Sequence, residues 1–151
     1  MTSNLRITSP DFTDNQHLPS RFRYDEENAN PTLLISNIPD DTKSLAIIMH
    51  DPDAIGSDWT HWLLWNIDPH VTEIAEGSEP YGSMEGLNSW GYAGWGGPKP
   101  PSGTGTHRYV FELFALDAVI DLPQGSTRAE LEEEIAEHCL DITSITGLVE
   151  S

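Results

Sequence analysis

The sequence predicts a mainly β fold with long irregular loops and one C-terminal helix. Three observations carry that expectation. Twelve glycines and eleven prolines in 151 residues interrupt short apolar runs throughout, the rhythm of strands joined by turns. The segment HRYVFELFAL, residues 107–116, alternates with a period of two. Only GSTRAELEEEIAEHCL carries a full set of helix signals.

In chain order, strands are expected at residues 4–8, 32–36, 44–49, 61–67 and 107–116. In the last, Tyr109, Phe111, Leu113 and Ala115 share one face, and Val110, Glu112, Phe114 and Leu116 the other. Apolar groups on both faces imply a central strand covered on both sides. The helix is expected at about residues 127–139. Thr127 can cap the amide of Glu130 while Glu130 reaches back, a capping box. Leu131, Ile135 and His138/Cys139 then fall on one face, with Glu132, Glu133, Glu134 and Glu137 on a solvated one. Cys139 is read as a small packed hydrophobe. Between strands, residues 68–106 form a long irregular stretch whose Tyr81, Trp90, Tyr92 and Trp95 supply burial, so an ordered, functional loop region is expected.

The chain reads as one domain, residues 1–151. Size scaling gives roughly 7,600 Å² of folded surface against about 24,000 Å² unfolded, so about 69% is buried and a proper core forms without staples. The single cysteine excludes an internal disulfide and points to a reducing compartment. MTSNLRITSPDF lacks the charged and apolar regions of a signal peptide. The longest apolar runs, LAIIM and WLLW, fall far short of the roughly 20 residues that cross a bilayer. A soluble cytoplasmic protein without membrane insertion is expected. Twenty-five acids against seven bases give a net charge of −18, with lysine only at positions 43 and 99. Repulsion excludes nucleic acid and anionic membrane as natural partners. Such a surface suits a salt-rich cytoplasm, where about 1 M salt shortens the Debye length to roughly 3 Å, or simply an acidic bacterial protein.

Polar side chains gather at three strand ends: Asp51 and Asp53 after the strand ending at Met49, His61 at the head of HWLLWNI, and His107, Arg108 and Tyr109 after GWGGPKPPSGTGT. Metal binding is disfavoured because local ligand spacing is absent and His50 and Asp51, adjacent in a strand, point to opposite faces. Nucleophilic catalysis is disfavoured because Ser57 and Ser102 lack an elbow motif and Cys139 is remote. An anion pocket suits the residue types better. Glycine-loop amides cradle an oxyanion, and histidines donate to it, their imidazolium forms favoured by Asp51 or Asp53. The competing structural reading is a turn of Asp51 and Asp53 around Pro52, with His107 merely packing.

DPDA, then WTHW, then GPKPPSGTGTHRY resemble the two motifs of the phosphatidylethanolamine-binding protein family, specifically its small bacterial and archaeal Raf kinase inhibitor-like members. NANPTLLISNIP, TKSLAIIMHDPDA, EGLNSWGYAGWGGP and RYVFELFALD extend the similarity over roughly residues 5–148. The resemblance implies a β-sandwich of two antiparallel sheets, a C-terminal helix, and an anion pocket at one end. Its ligand-binding residues here would be Asp51, Asp53, His61, Gly97, Pro100, Pro101, His107 and Tyr109. Asp51 would orient an imidazole, and Arg108, pointing the other way, would make a structural salt bridge. The family's DPDAP has Ile55 in place of its final proline, so a trans bond and a reshaped rim are expected. The family's Tyr-Thr-Cys-Asp-Gly stretch is FRYDEEN here. Lys99 is either a plain surface residue or steers anions. The expectation is a non-enzymatic, cofactor-free binder of a small anion or phospho-head-group. The alternatives are an inhibitor of a kinase or serine protease, and less so a hydrolase built on His61 and Asp51. Many prokaryotic members are homodimers, which adds a second copy of the chain as a partner.

Overall fold

The computed structural model describes residues 4–151. Its elements are strands β1 (Arg6–Thr8), β2 (Gln16–His17), β3 (Leu33–Ser36), β4 (Ser44–Asp51), β5 (Trp59–Ile67), β6 (Glu73–Ile74), β7 (Met84–Glu85) and β8 (Thr106–Leu116), helix α1 (Arg128–His138), and strand β9 (Cys139–Glu150). They form a three-stranded sheet, β1-β3-β6, and a six-stranded sheet, β2-β9-β8-β4-β5-β7. Pairing is antiparallel except where Gln16 and His17 of β2 run parallel to Gly147 and Leu148 of β9. The accessible surface is 7493 Å², close to the roughly 7,600 Å² that size scaling gives for this mass.

The large sheet is covered on both sides, as the two apolar faces of β8 require. Tyr109, Phe111, Leu113 and Ala115 join Leu45, Ile47, Met49, Trp62 and Leu64 in a core shared with the small sheet. Phe114 and Leu116 join Ala46, Ile48, Leu63, Trp65, Leu131 and Ile135 in a second core under α1. Trp62 and Trp65, both fully buried, anchor one core each. An aromatic of this size removes about 150–250 Å² from water.

The capping box forms as expected: Thr127 accepts from the Glu130 amide and Glu130 accepts from the Thr127 amide. The helix ends at His138 with Cys139 as its C-cap, within the expected bounds, but residues 139–150 then form an unexpected strand, the longest, paired with all of β8. Two expectations need correction. Cys139 opens that strand as an exposed free thiol, not a packed one, because the first half of β9 has a neighbour on only one side. Tyr81 and Tyr92 lie exposed on the long loop, whereas Trp90 and Trp95 are partly buried.

A local departure from regular pairing places the most telling side chain. Met49 faces Trp62 and His50 faces Thr60, so β5 carries one extra residue, His61, as a bulge. A bulge lets consecutive residues turn to the same side of a sheet. Trp62 enters the first core, and His61 lies beside Tyr109 with ring centroids 5.2 Å apart.

Candidate functional site

The end of β4 and the starts of β5 and β8 open on one edge of the large sheet, where the long loop folds over them. The result is a cavity of about 210 Å³ lined by Asp51, Ala54, Ile55, Trp59, His61, Trp90, Lys99, Pro100, Pro101, His107 and Tyr109. Six of the eight expected pocket residues are among them. Ser57, Ser102 and Cys139 are not.

Asp51, 3% exposed, ties the floor together. One carboxylate oxygen accepts from Nδ1 of His107 at 2.7 Å; the other accepts from the backbone N–H of Asp53 at 2.8 Å. The carboxylate therefore makes the turn around Pro52 and orients an imidazole at once, with one oxygen for each role. Burial and the Asp51 carboxylate push the Tyr109 phenol far above the ordinary tyrosine range, so it keeps its proton as a donor. Nε2 of His107 lies 2.8 Å from Oγ1 of Thr104, whose hydroxyl donates to the Pro101 carbonyl.

His61 contradicts the charged-imidazole expectation. Burial, only partly opposed by the Gly96 and Gly97 carbonyls and by Asp51, lowers its pKa to about 4. Near neutral pH the ring is uncharged. Its Nδ1 faces the Gly96 carbonyl and so carries the hydrogen. Nε2 is then a lone-pair acceptor.

Asp53 and Gly97 stand outside the cavity lining. Asp53 takes a bidentate grip from Arg108, at 3.0 Å to each oxygen, and accepts the Arg108 amide at 2.9 Å. The Arg108 hydrogen bonds hold its carboxyl below the usual range. Gly97 donates to Oδ1 of Asn28 at 2.8 Å, and Gly96 donates to the His61 carbonyl at 3.0 Å. These amides are committed within the protein and form no anion cradle. Gly97 matters by size instead: a Cβ there would collide with the Phe22 carbonyl and lie 2.9 Å from Asn28 Oδ1 and the Tyr24 amide. Gly97→Ala should destabilise the fold by about 1–3 kcal/mol, as overpacking does. Thermal unfolding checks this; an unchanged midpoint would show that the loop yields freely.

Sequence reasoning missed the aromatic wall. Trp90 stacks on Tyr24 at 4.0 Å and meets Trp59 edge-on at 5.3 Å. The Lys99 ammonium sits 5.5 Å over the Tyr24 ring. The indole N–H groups of Trp59 and Trp90 are buried and make no hydrogen bond within the protein. Trp59 could have been found, since it precedes His61 by two in a strand and shares its face. Ile55 lies on the rim, 72% exposed, and every described peptide bond is trans.

His50 points away from the cavity, with Nδ1 2.9 Å from Asp58 and Nε2 3.1 Å from Glu112. Among the described residues, the grouping that could hold a metal is Glu134, Glu137 and His138 on α1, none of which lines the cavity. No described helix is long and apolar enough to cross a membrane.

Residues 8–150 match the family model described as phosphatidylethanolamine-binding protein. The chain belongs to the phosphatidylethanolamine-binding protein family. It is 42% identical over 149 residues to a UPF0098 protein of Methanothermobacter thermautotrophicus, covering 95% of this chain and 97% of that one. Two solved members of the phosphatidylethanolamine-binding protein family share its fold closely. CT736 of Chlamydia trachomatis has a TM-score of 0.92 at 30% identity, covering 99% of both chains. YbcL of E. coli scores 0.91 at 31% identity, covering 97% of this chain and 98% of that one. Carboxypeptidase Y inhibitor, solved with its cognate proteinase, shares the fold alone, at 17% identity and a TM-score of 0.60 over 97% of this chain and 82% of that one.

Proposed function

We propose that this chain is a non-enzymatic binding protein that captures a small phosphorylated or carboxylated ligand in the cavity beside Asp51, His61 and His107. One observation carries the reading: a buried carboxylate, two imidazoles and a phenol converge on a walled cavity of about 210 Å³. The lining holds no serine or cysteine, which favours capture over nucleophilic chemistry. Trp59, Trp90, Pro100 and Pro101 provide apolar walls, and Lys99 puts a cation at the mouth. Such a mixture, mostly apolar with a few placed polar groups, is what small-ligand sites require.

Titrating phosphate and phosphoethanolamine into the protein and into His61→Ala tests this. Binding heat with the native protein that is lost in the variant is expected. Identical heats in both would sink the assignment. Inhibition of a kinase or serine protease is the second reading, suggested by the fold shared with carboxypeptidase Y inhibitor. A stoichiometric kinase or protease recovered in a pull-down from native lysate would favour it.

A further inference from the structure

An edge of the large sheet stands open away from the cavity. β9 pairs with β8 throughout, but its other neighbour, β2, reaches only Gly147 and Leu148. Thr146 accepts the Asn15 amide and gives its own N–H to Asp14, both on the side away from β8. In an antiparallel strand backbone direction alternates, so Ser144 and Ile142, two and four residues earlier, face outward too. The Ile142 N–H is met by the carboxylate of Asp141; the Ser144 N–H and the Ile142 and Ser144 carbonyls aim at the vacant side. Such a row is a template for one more strand. Leu140 and Ile142 are exposed along it. Ile142 lies opposite Phe114, which packs under α1, so its side chain is on the helix side of the sheet. Acids border that side. The sheet runs β9-β8-β4-β5, and Arg128 and Glu132 form one flank of α1, with Arg128 reaching Asp58 and Thr60 toward β5. Glu134, Glu137 and His138 form the opposite flank, toward β9, their polar atoms within 4.8 Å of one another. Among the described residues, no Lys or Arg pairs with Glu134 or Glu137.

We propose that the open edge of β9 is a docking surface for an extended basic segment of another protein, with lysine or arginine at every second position. The segment adds as a strand through the outward backbone groups of Ile142 and Ser144. Its basic side chains lie on the helix side, where their aliphatic stems cover Leu140 and Ile142 and their charged heads reach Glu134 and Glu137. The complementarity is both of shape and of charge. A second copy of the chain is a poor occupant: each carries a net charge of −18, and two-fold pairing of β9 with itself sets both acid flanks on one face of the joined sheet. The proposal is independent of the cavity, whose residues His107 and Tyr109 lie at the other end of β8 from the Glu112–Leu116 stretch that backs this edge.

The experiment is an NMR titration of the full chain, read by its backbone amide shifts, with a capped heptapeptide alternating lysine and threonine. Shifts should centre on residues 140–146 and on the Glu134–His138 flank, and added salt should weaken binding. Two control peptides separate strand addition from charge. Lysine alternating with proline keeps the charge and spacing but cannot join a ladder, and should bind several-fold more weakly. Glutamate alternating with threonine should not bind. Replacing Glu134→Gln and Glu137→Gln together should cost about fivefold in affinity, the worth of two exposed ion pairs. These substitutions are on the helix surface, and the peptide comparison on the native chain decides the matter without them. Equal affinity for the proline peptide, shifts centred elsewhere, or no shifts at all would overturn the proposal. So would a native chain that sediments as a dimer and becomes monomeric in Ile142→Lys, which would assign the edge to a second copy.

Discussion

Asp51→Ala is expected to lower stability by about 3 kcal/mol or more, because buried donors lose their acceptor at about 1–3 kcal/mol each. The carboxylate is 4% exposed and its His107 partner 1%. Its removal strands the His107 Nδ1–H and the Asp53 amide, where water has little access to replace it. For a chain of this size that amounts to a fall of about 10 °C in the unfolding midpoint. Ligand binding should go with it, because His107 loses the group that fixes its ring. Asp53→Ala is the paired comparison. Its partner Arg108 is 57% exposed and Asp53 31%, so solvent screens the pair and a change of at most about 1 kcal/mol is expected. Thermal unfolding of both variants reads the difference. Equal losses would mean that the turn around Pro52, which both residues serve, matters more than the His107 pair.

The second large effect is on acid stability. His61 titrates at about 4 when folded against an ordinary 6.5, so between those values the unfolded chain binds a proton that the native one refuses. Stability is therefore unaffected by this group above about pH 6.5, falls as pH drops below it, and levels off once the native ring also protonates. At 1.36 kcal/mol per unit the whole loss is about 3 kcal/mol. His50 acts in the opposite sense. Although burial disfavours its charge and Arg128 repels it, Glu112 and Asp58 leave its pKa raised. Its contribution is present below about 6.5 and fades as pH rises through the folded value. Denaturant unfolding of the native chain and His61→Gln between pH 7 and 4 separates the two. The native curve should fall about 3 kcal/mol further than the variant's; parallel curves would refute the buried, neutral His61.

Much of this was legible in the residues, for reasons that also explain the gaps. The two apolar faces of 107–116 announced a central strand with two cores, because alternation survives wherever both faces are packed. β9 was not read. Its first half has a free side, where Leu140 and Ile142 are 41% and 49% exposed, so burial imposes no pattern. It also follows α1 without a glycine or proline to mark the change. DPDA and HRY located the floor of the cavity, but two aspartates in one motif carry no sign of which keeps to the pocket. That is decided by Arg108 reaching across from the next strand. The protonation of His61 was misjudged because neighbouring aspartates are visible in a sequence and desolvation is not. The bulge that turns His61 inward depends on the register of β4 against β5, which no single segment specifies.

The pairing of β2 with β9 joins Gln16 to Gly147, and the pocket floor joins Asp51 to His107. Contacts this distant along the chain must bear their loop-closure entropy before they repay it, which places refolding in milliseconds to seconds rather than microseconds. A ligand that recognises the assembled floor meets it only in finished molecules. It should then leave the refolding rate nearly unchanged and slow unfolding instead, so occupancy of the pocket would act as a kinetic lock on a sheet that closes late.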